Sequence, residues 1–180
     1  MDISKPSLEL IHHIFDENEW MCSYNPNARV LSATFTVSQI KEKLLVILRD
    51  TEIDEPSYAG VINSCQFSEP IPKDRLNEAA EYLHRVNSLL VYGGFELDYE
   101  DRHCSYKLII PRNFIQTATK DKIVDMILLP CRMFACFAPG LKQVTGGESP
   151  AKALKHVIVH MHRGVMEGAR VARSTRKSRW

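Results

Sequence analysis

His156 and His160 stand four residues apart in a stretch of helical periodicity, so two imidazoles share one helix face where they could hold a metal ion. Two ligands do not close a site. Leu154 and His156 also differ by about 200° around a helix, which turns the histidines away from the apolar stripe, beside Arg163 and Glu167, and makes a solvated polar face the plainer reading. His103 beside Cys104 is the one local pair that resembles a nucleophile and its base, but consecutive strand residues point to opposite faces. Gly146-Gly147 could offer backbone N–H groups to an anion at a helix start, against the repulsion of Glu148. The five cysteines form no C-x-x-C or C-x-x-H pair and read as free buried thiols. There is no G-x-S-x-G, Walker loop, G-x-G-x-x-G or H-E-x-x-H. The expectation is therefore a protein that is not an enzyme, with no metal and no cofactor.

One cluster is charged rather than catalytic. Arg170, Arg173, Arg176, Lys177 and Arg179 fall in the last eleven residues without an acid, ahead of Trp180, and could grip phosphates. Residues 1–169 hold 18 bases against 22 acids, so a mildly acidic body carries a basic end. A nucleic-acid accessory protein docking through that end is one reading, and a solvated terminus is the bland one.

What must position these groups is an ordinary domain. At 180 residues, 44% hydrophobic and 25% charged, the composition is globular, and a chain of this length needs neither disulfide nor metal as a staple. No uninterrupted apolar run reaches the roughly 20 residues that span a bilayer, and MDISKPSLEL lacks the basic start and apolar stretch of a signal peptide. A cytoplasmic location without membrane contact is expected.

Leu8, Ile11, His12 and Phe15 recur at helical spacing after Ser7, which can cap their helix, and one of His12 and His13 is expected inside. WMCSY and ARVLSATFTV read as strands, the second alternating Leu31, Ala33, Phe35 and Val37 with polar residues. KLLVILRD does not alternate, and its branched apolar run predicts a central strand covered on both faces. AGVINSCQF alternates again through Val61, Asn63, Cys65 and Phe67.

Pro72 suits the first position of a helix whose stripe, from Leu76 to Leu90, predicts a run to about Tyr92, with Gly93 as its left-handed stop. Phe95, Leu97 and Tyr99, then Tyr106, Leu108 and Ile110, alternate as an antiparallel hairpin. Thr119 can cap a helix that Pro130 is expected to kink or split and Pro139-Gly140 to end. Ser149 and Pro150 open a last helix with Leu154, Val157, Ile158, Met161 and Val165 on its apolar stripe, and Gly164 and Gly168 beyond them at a spacing that permits close helix contact. The order is helix, four strands, helix, two strands, two helices. That order predicts an α+β fold, an antiparallel sheet covered by helices.

Asn87 is four residues after Leu83 and three before Leu90, so the helical period turns its amide toward the sheet. An unpaired buried amide costs about 1–3 kcal/mol, and the nearest partners are backbone groups at Gly93-Gly94 and the following strand. The stretch IPKDRLNEAAEYLHRVNSLLVYGGFELDYED through YKLIIP, with FAPGLKQVTGGESPAKAL, resembles the YbjN-like family, whose fold is similar to that of type III secretion chaperones. The shared pattern is a proline-started helix, an asparagine-containing turn and G-x-F-x-x-D opening a hairpin, here Gly93, Gly94, Phe95 and Asp98. The hairpin tip Glu100-Asp101-Arg102-His103 lacks the glycine of many relatives, and the basic extension lies outside the pattern.

The resemblance covers roughly residues 8–158 and implies a single YbjN-like domain, bounded here as residues 1–168; by its own composition 169–180 reads as a basic flexible tail. The resemblance also implies a non-catalytic, chaperone-like protein-binding role as a homodimer, with an unknown protein partner. Leu154, Ile158, Met161 and Val165 are the candidate partner-binding stripe, and Asn87, Gly93, Gly94, Phe95 and Asp98 the structural set.

Overall fold

The computed structural model describes residues 7–50, 60–66 and 69–161, Cys65 by its backbone alone. The elements in chain order are α1 (Ser7–Glu17), β1 (Cys22–Asn25), β2 (Val30–Val37), β3 (Glu42–Asp50), β4 (Gly60–Gln66), a 3-10 turn (Lys73–Arg75), α2 (Leu76–Asn87), β5 (Gly94–Leu97), β6 (Cys104–Pro111), α3 (Arg112–Thr117) and α4 (Lys120–Thr145). A further helix, α5, occupies residues 150–161. The strands form one six-stranded sheet in the order β1-β2-β3-β4-β6-β5, antiparallel at every step. This is an α+β fold, and the core gathers residues from every helix and from the strands β2 to β6.

The described helices lie on one side of the sheet. Alternate residues of β2, β3, β4 and β6, among them Leu31, Leu44, Val46, Leu48, Val61 and Tyr106, are buried beneath them. The continuous apolar run of β3 is therefore not covered on both faces: Leu44, Val46 and Leu48 are buried, whereas Leu45 on the opposite face is 41% exposed. The pleat imposes this, since only one face of β3 has helices to meet.

Two prolines fail to break α4, which runs unbroken from Lys120 to Thr145 with Pro130 and Pro139 inside it, and Gly146 follows as its cap residue. Pro130 has no N–H to give the carbonyl of Met126, four residues earlier. Asn63, wholly buried on β4, supplies the missing donor: its Nδ2 lies 3.1 Å from the Met126 oxygen and 2.9 Å from that of Ile127. Near Pro139, the Tyr82 hydroxyl donates to the Phe137 carbonyl at 2.8 Å, and the absence of a side chain at Gly140 makes room for the Tyr82 ring end. By length and composition α4 could cross a membrane; its apolar character here serves the core, with Ile123, Ile127, Phe134 and Phe137 buried.

Other boundaries also differ from the periodicity. α2 ends at Asn87, not near Tyr92, because the Asn87 amide turns to the hairpin backbone and Leu89, Val91 and Tyr92 have no core to meet and stand exposed. A 3-10 turn precedes it where Pro72 was expected to start the α-helix. α3, a short helix over RNFIQT, adds an element that the apolar pattern does not announce, since only Ile115 in it is fully buried. Ser7 lies inside α1 with its hydroxyl buried and unpartnered, so it does not cap by side chain, and Thr119 likewise makes no side-chain cap bond.

Candidate functional site

Among the described residues nothing covers the face of the sheet away from the helices, and the composition of that face follows from register. Across β2 to β6 the pairing aligns Val30 with Arg49, Arg49 with Ile62 and Ile62 with Ile109; one row on, Ser32 meets Ile47, Ile47 meets Ser64 and Ser64 meets Lys107. A third row joins Thr34, Leu45, Gln66 and Ser105. Paired residues of antiparallel strands share a face, so these side chains form one surface. Its apolar members run obliquely: Met21 beside β1 is 93% exposed, Leu45 41% and Ile109 51%, with Ile47 and Ile62 half-buried between them. A shallow groove of about 380 Å³ lies at the Met21 end, bordered by Ser23, Ser32, Thr34 and Leu45.

Bases flank this band. Lys43 and Arg49 project from β3 and are exposed, and among the described residues neither has an ion-pair partner. Lys107 on β6 pairs with Glu96 on β5. Among the described residues the face thus carries three bases and one acid around its apolar side chains. It can bury an apolar segment and select its charge.

The structural set is brought together at the β5 edge. Asn87 Nδ2 donates to the Phe95 carbonyl at 2.9 Å, and the Phe95 N–H donates to Asn87 Oδ1 at 2.8 Å, so one amide satisfies both backbone groups of the first core residue of β5. Gly93 has φ +65, and a Cβ there would stand 2.6 Å from the Lys107 carbonyl oxygen. Its role is to pass the loop over β6, six residues after the helix has ended. Gly94 sits over the Asn87 amide at ordinary contact distance. Phe95 meets Tyr106, Phe134 and Phe137 edge-on, with centroids 4.9, 5.2 and 6.1 Å away. Asp98 Oδ1 accepts the N–H groups of Glu100 and Asp101, which hold its carboxyl below the usual carboxylate range, Asp101 contributing most. That turn chemistry, with Arg102 at φ 61, closes the hairpin without glycine.

The remaining candidates scatter. His156 and His160 are both exposed, His156 Nδ1 lying 3.3 Å from Gln143 Oε1, and no cluster of three metal-ligating side chains occurs among the described residues. His12 is half-buried and stacked on Tyr24 at 4.4 Å, and His13 is exposed, so neither is a core histidine. Cys104 is fully buried and its thiol is pushed up to about 12 by that burial, far from a reactive thiolate. Gly146-Gly147 closes the α4 terminus through backbone bonds to Lys142 and Val144; Glu148, paired with Lys152, accepts the Ser149 N–H just ahead of α5.

On α5 the packed face is Pro150, Ala153 and Val157, so the expected stripe is rotated: Leu154 and Ile158 are half-buried on its flank and Met161 is 40% exposed. Val165, Gly164, Gly168, Phe67 and the bases Arg170, Arg173, Arg176, Lys177 and Arg179 lie outside the described residues.

Periodicity alone missed the open face, and it set Asn63 in the alternating stripe of β4 without giving its partners. A signal for the first was present: Ser32, Thr34, Ser64, Ser105 and Lys107 mark the polar side of three strands, and any register aligning them places Leu45 and Ile47 beside them. Nothing in the sequence pairs Asn63 with Pro130.

No family model and no curated protein sequence matches the chain. Among solved structures, the crystal structure of YbjN from E. coli, a proposed transcription regulator, is similar with a TM-score of 0.50 and 14% identity, over 72% of this chain and 86% of that one. At that identity the likeness carries the fold alone: a YbjN-like α+β arrangement.

Proposed function

We propose that the chain is a cytoplasmic, non-catalytic protein-binding domain of the YbjN-like, chaperone type, which receives its partner on the open face of the sheet. The observation behind this reading is the oblique apolar band from Met21 through Leu45 to Ile109 on a face that no described helix covers. Contiguous apolar surface with a polar surround is the mark of a contact site, and covering each half-exposed Leu or Ile contributes roughly 1 kcal/mol. Type III secretion chaperones, to which the resemblance extends, bind other proteins without catalysis, and the same role is assigned here.

The test is a photo-crosslinking residue placed at Leu45, at Ile109 and, as a control, at exposed Lys122 on α4. Adducts to one partner from the first two positions and not from the third are expected, and Leu45→Ser should suppress those from position 109. Equal adducts from all three positions would refute docking on this face.

The homodimer belongs to the same proposal. Leu154, Ile158 and Met161 recur at 0, 4 and 7 on the outer flank of α5, the spacing of a helix-pairing seam. Light scattering is expected to give twice the chain mass, returning to one on Ile158→Glu; a monomer at high concentration would remove the dimer and leave the docking face in place.

A further inference from the structure

We propose that the segment docked on the open sheet face is acidic, an amphipathic stretch with apolar anchors and Asp or Glu beside them; this rests on the docking reading above. The argument is charge complementarity. Residues 1–169 are acidic in balance, 18 bases against 22 acids, yet among the described residues this face carries Lys43, Arg49 and Lys107 against Glu96. Lys43 and Arg49 stand exposed and without an ion-pair partner among the described residues, one at each end of β3 and flanking Leu45 and Ile47. A partner carboxylate placed there gains a charge-assisted hydrogen bond without breaking an existing pair.

The same charges select against the other occupants. A second copy stacked face to face about a two-fold axis presents the same patch twice, bringing bases toward bases. The chain's own terminal run, with Arg170, Arg173, Arg176, Lys177 and Arg179, is repelled for the same reason. A cationic or neutral peptide satisfies the apolar band and leaves Lys43 and Arg49 unmatched.

The band also sets a length. From β1 to β6 there are four strand spacings of about 4.8 Å, or roughly 19 Å, which is the length of about 13 helical residues. An amphipathic helix of three to four turns, laid on this face as the chain's own helices lie on the other, covers the band and sets its flanking acids over β3.

The experiment is selection from a phage-displayed library of random peptides, about 16 residues long, against the full chain. It is repeated with Lys43→Glu/Arg49→Glu and with Leu45→Ser/Ile109→Ser, each variant first shown to melt like the parent. The expected outcome is enrichment of Asp- and Glu-rich peptides with Leu, Ile or Phe at helical spacing. The leading peptide should bind the charge-reversed protein about tenfold or more weakly and lose affinity with salt. Peptides that depend on Leu45 and Ile109 but are neutral or basic, or that bind the charge-reversed protein equally, overturn the acidic partner and leave the docking face standing. Peptides indifferent to Leu45→Ser/Ile109→Ser, or no enrichment over an empty support, overturn both.

Discussion

Replacing Asn63 with leucine tests how α4 tolerates a proline at its centre. The Asn63 amide donates to the Met126 and Ile127 carbonyls in a site with no solvent exposure, and Met126 is the residue whose carbonyl Pro130 leaves without its helical donor. Stranding that carbonyl costs about 1–3 kcal/mol. Removing the amide also removes Asn63 Oδ1, which is buried without a partner, and so returns a contribution of similar size. The single variant therefore has a small net effect whose sign is not diagnostic, and the informative measurement is a double-mutant cycle with Pro130→Ala. That second substitution restores an N–H for the Met126 carbonyl, so in its background Asn63→Leu keeps its gain and loses its penalty. The two backgrounds should differ by about 1–3 kcal/mol, read as urea midpoints or as melting temperatures that diverge by roughly 3–10 °C for a chain of this size. If Asn63→Leu shifts the melt equally in the parent and in the Pro130→Ala background, the amide is not the surrogate donor and the account of the unbroken helix is wrong.

Asn87→Leu removes both bonds to Phe95 and should lower stability by about 1–2 kcal/mol, with faster amide exchange at β5; an unchanged melt would make the latch a bystander. Acid should weaken the fold through Asp98, Glu17 and Glu148, whose carboxyls are held low respectively by the Asp101 and Glu100 N–H groups, by Lys120 and by Lys152. Because the folded values are depressed, their stabilisation is complete above the unfolded-state range near roughly pH 4 and disappears as pH falls through the folded values. Asp98→Ala should flatten part of that decline in a urea-midpoint series from pH 6 to pH 2, and an identical decline would exclude the turn carboxylate. The Cys104 thiol should stay unlabelled by an aromatic disulfide reagent at pH 8 until the chain unfolds, as peptide mapping would show; rapid native labelling there would contradict its burial. Deleting residues 170–180 should leave peptide docking on the sheet unchanged, while salt-sensitive retention of an oligonucleotide that disappears with the same deletion would favour the nucleic-acid alternative.

The amino-acid pattern carried the local geometry. Alternation marked β2, β4 and the β5-β6 hairpin, and the turn residues separated them, because a period of two and the φ/ψ demands of a turn are properties of consecutive residues. The helical period turned Asn87 inward, and the hairpin backbone that meets it is eight residues away, near enough for a sequence argument to reach. It could not end α2 at Asn87, since the stripe continues through Leu90 and only the arrangement of the core leaves Leu89, Val91 and Tyr92 without a surface to cover. For the same reason Leu45 and Ile47 read as interior. An apolar run says that a strand has apolar sides, not which sides have neighbours, and the described helices lie on one face of this sheet.

Short-range spacing and composition were enough for the element types, the α+β class and the charge contrast between body and terminus. Folding in three dimensions was needed to leave one sheet face free of the described helices, to border its apolar band with Lys43, Arg49 and Lys107, and to bring Asn63 to the carbonyl that Pro130 leaves without an N–H. Each of these depends on contacts between residues distant in the chain, and so on which strand pairs with which and where the helices come to rest.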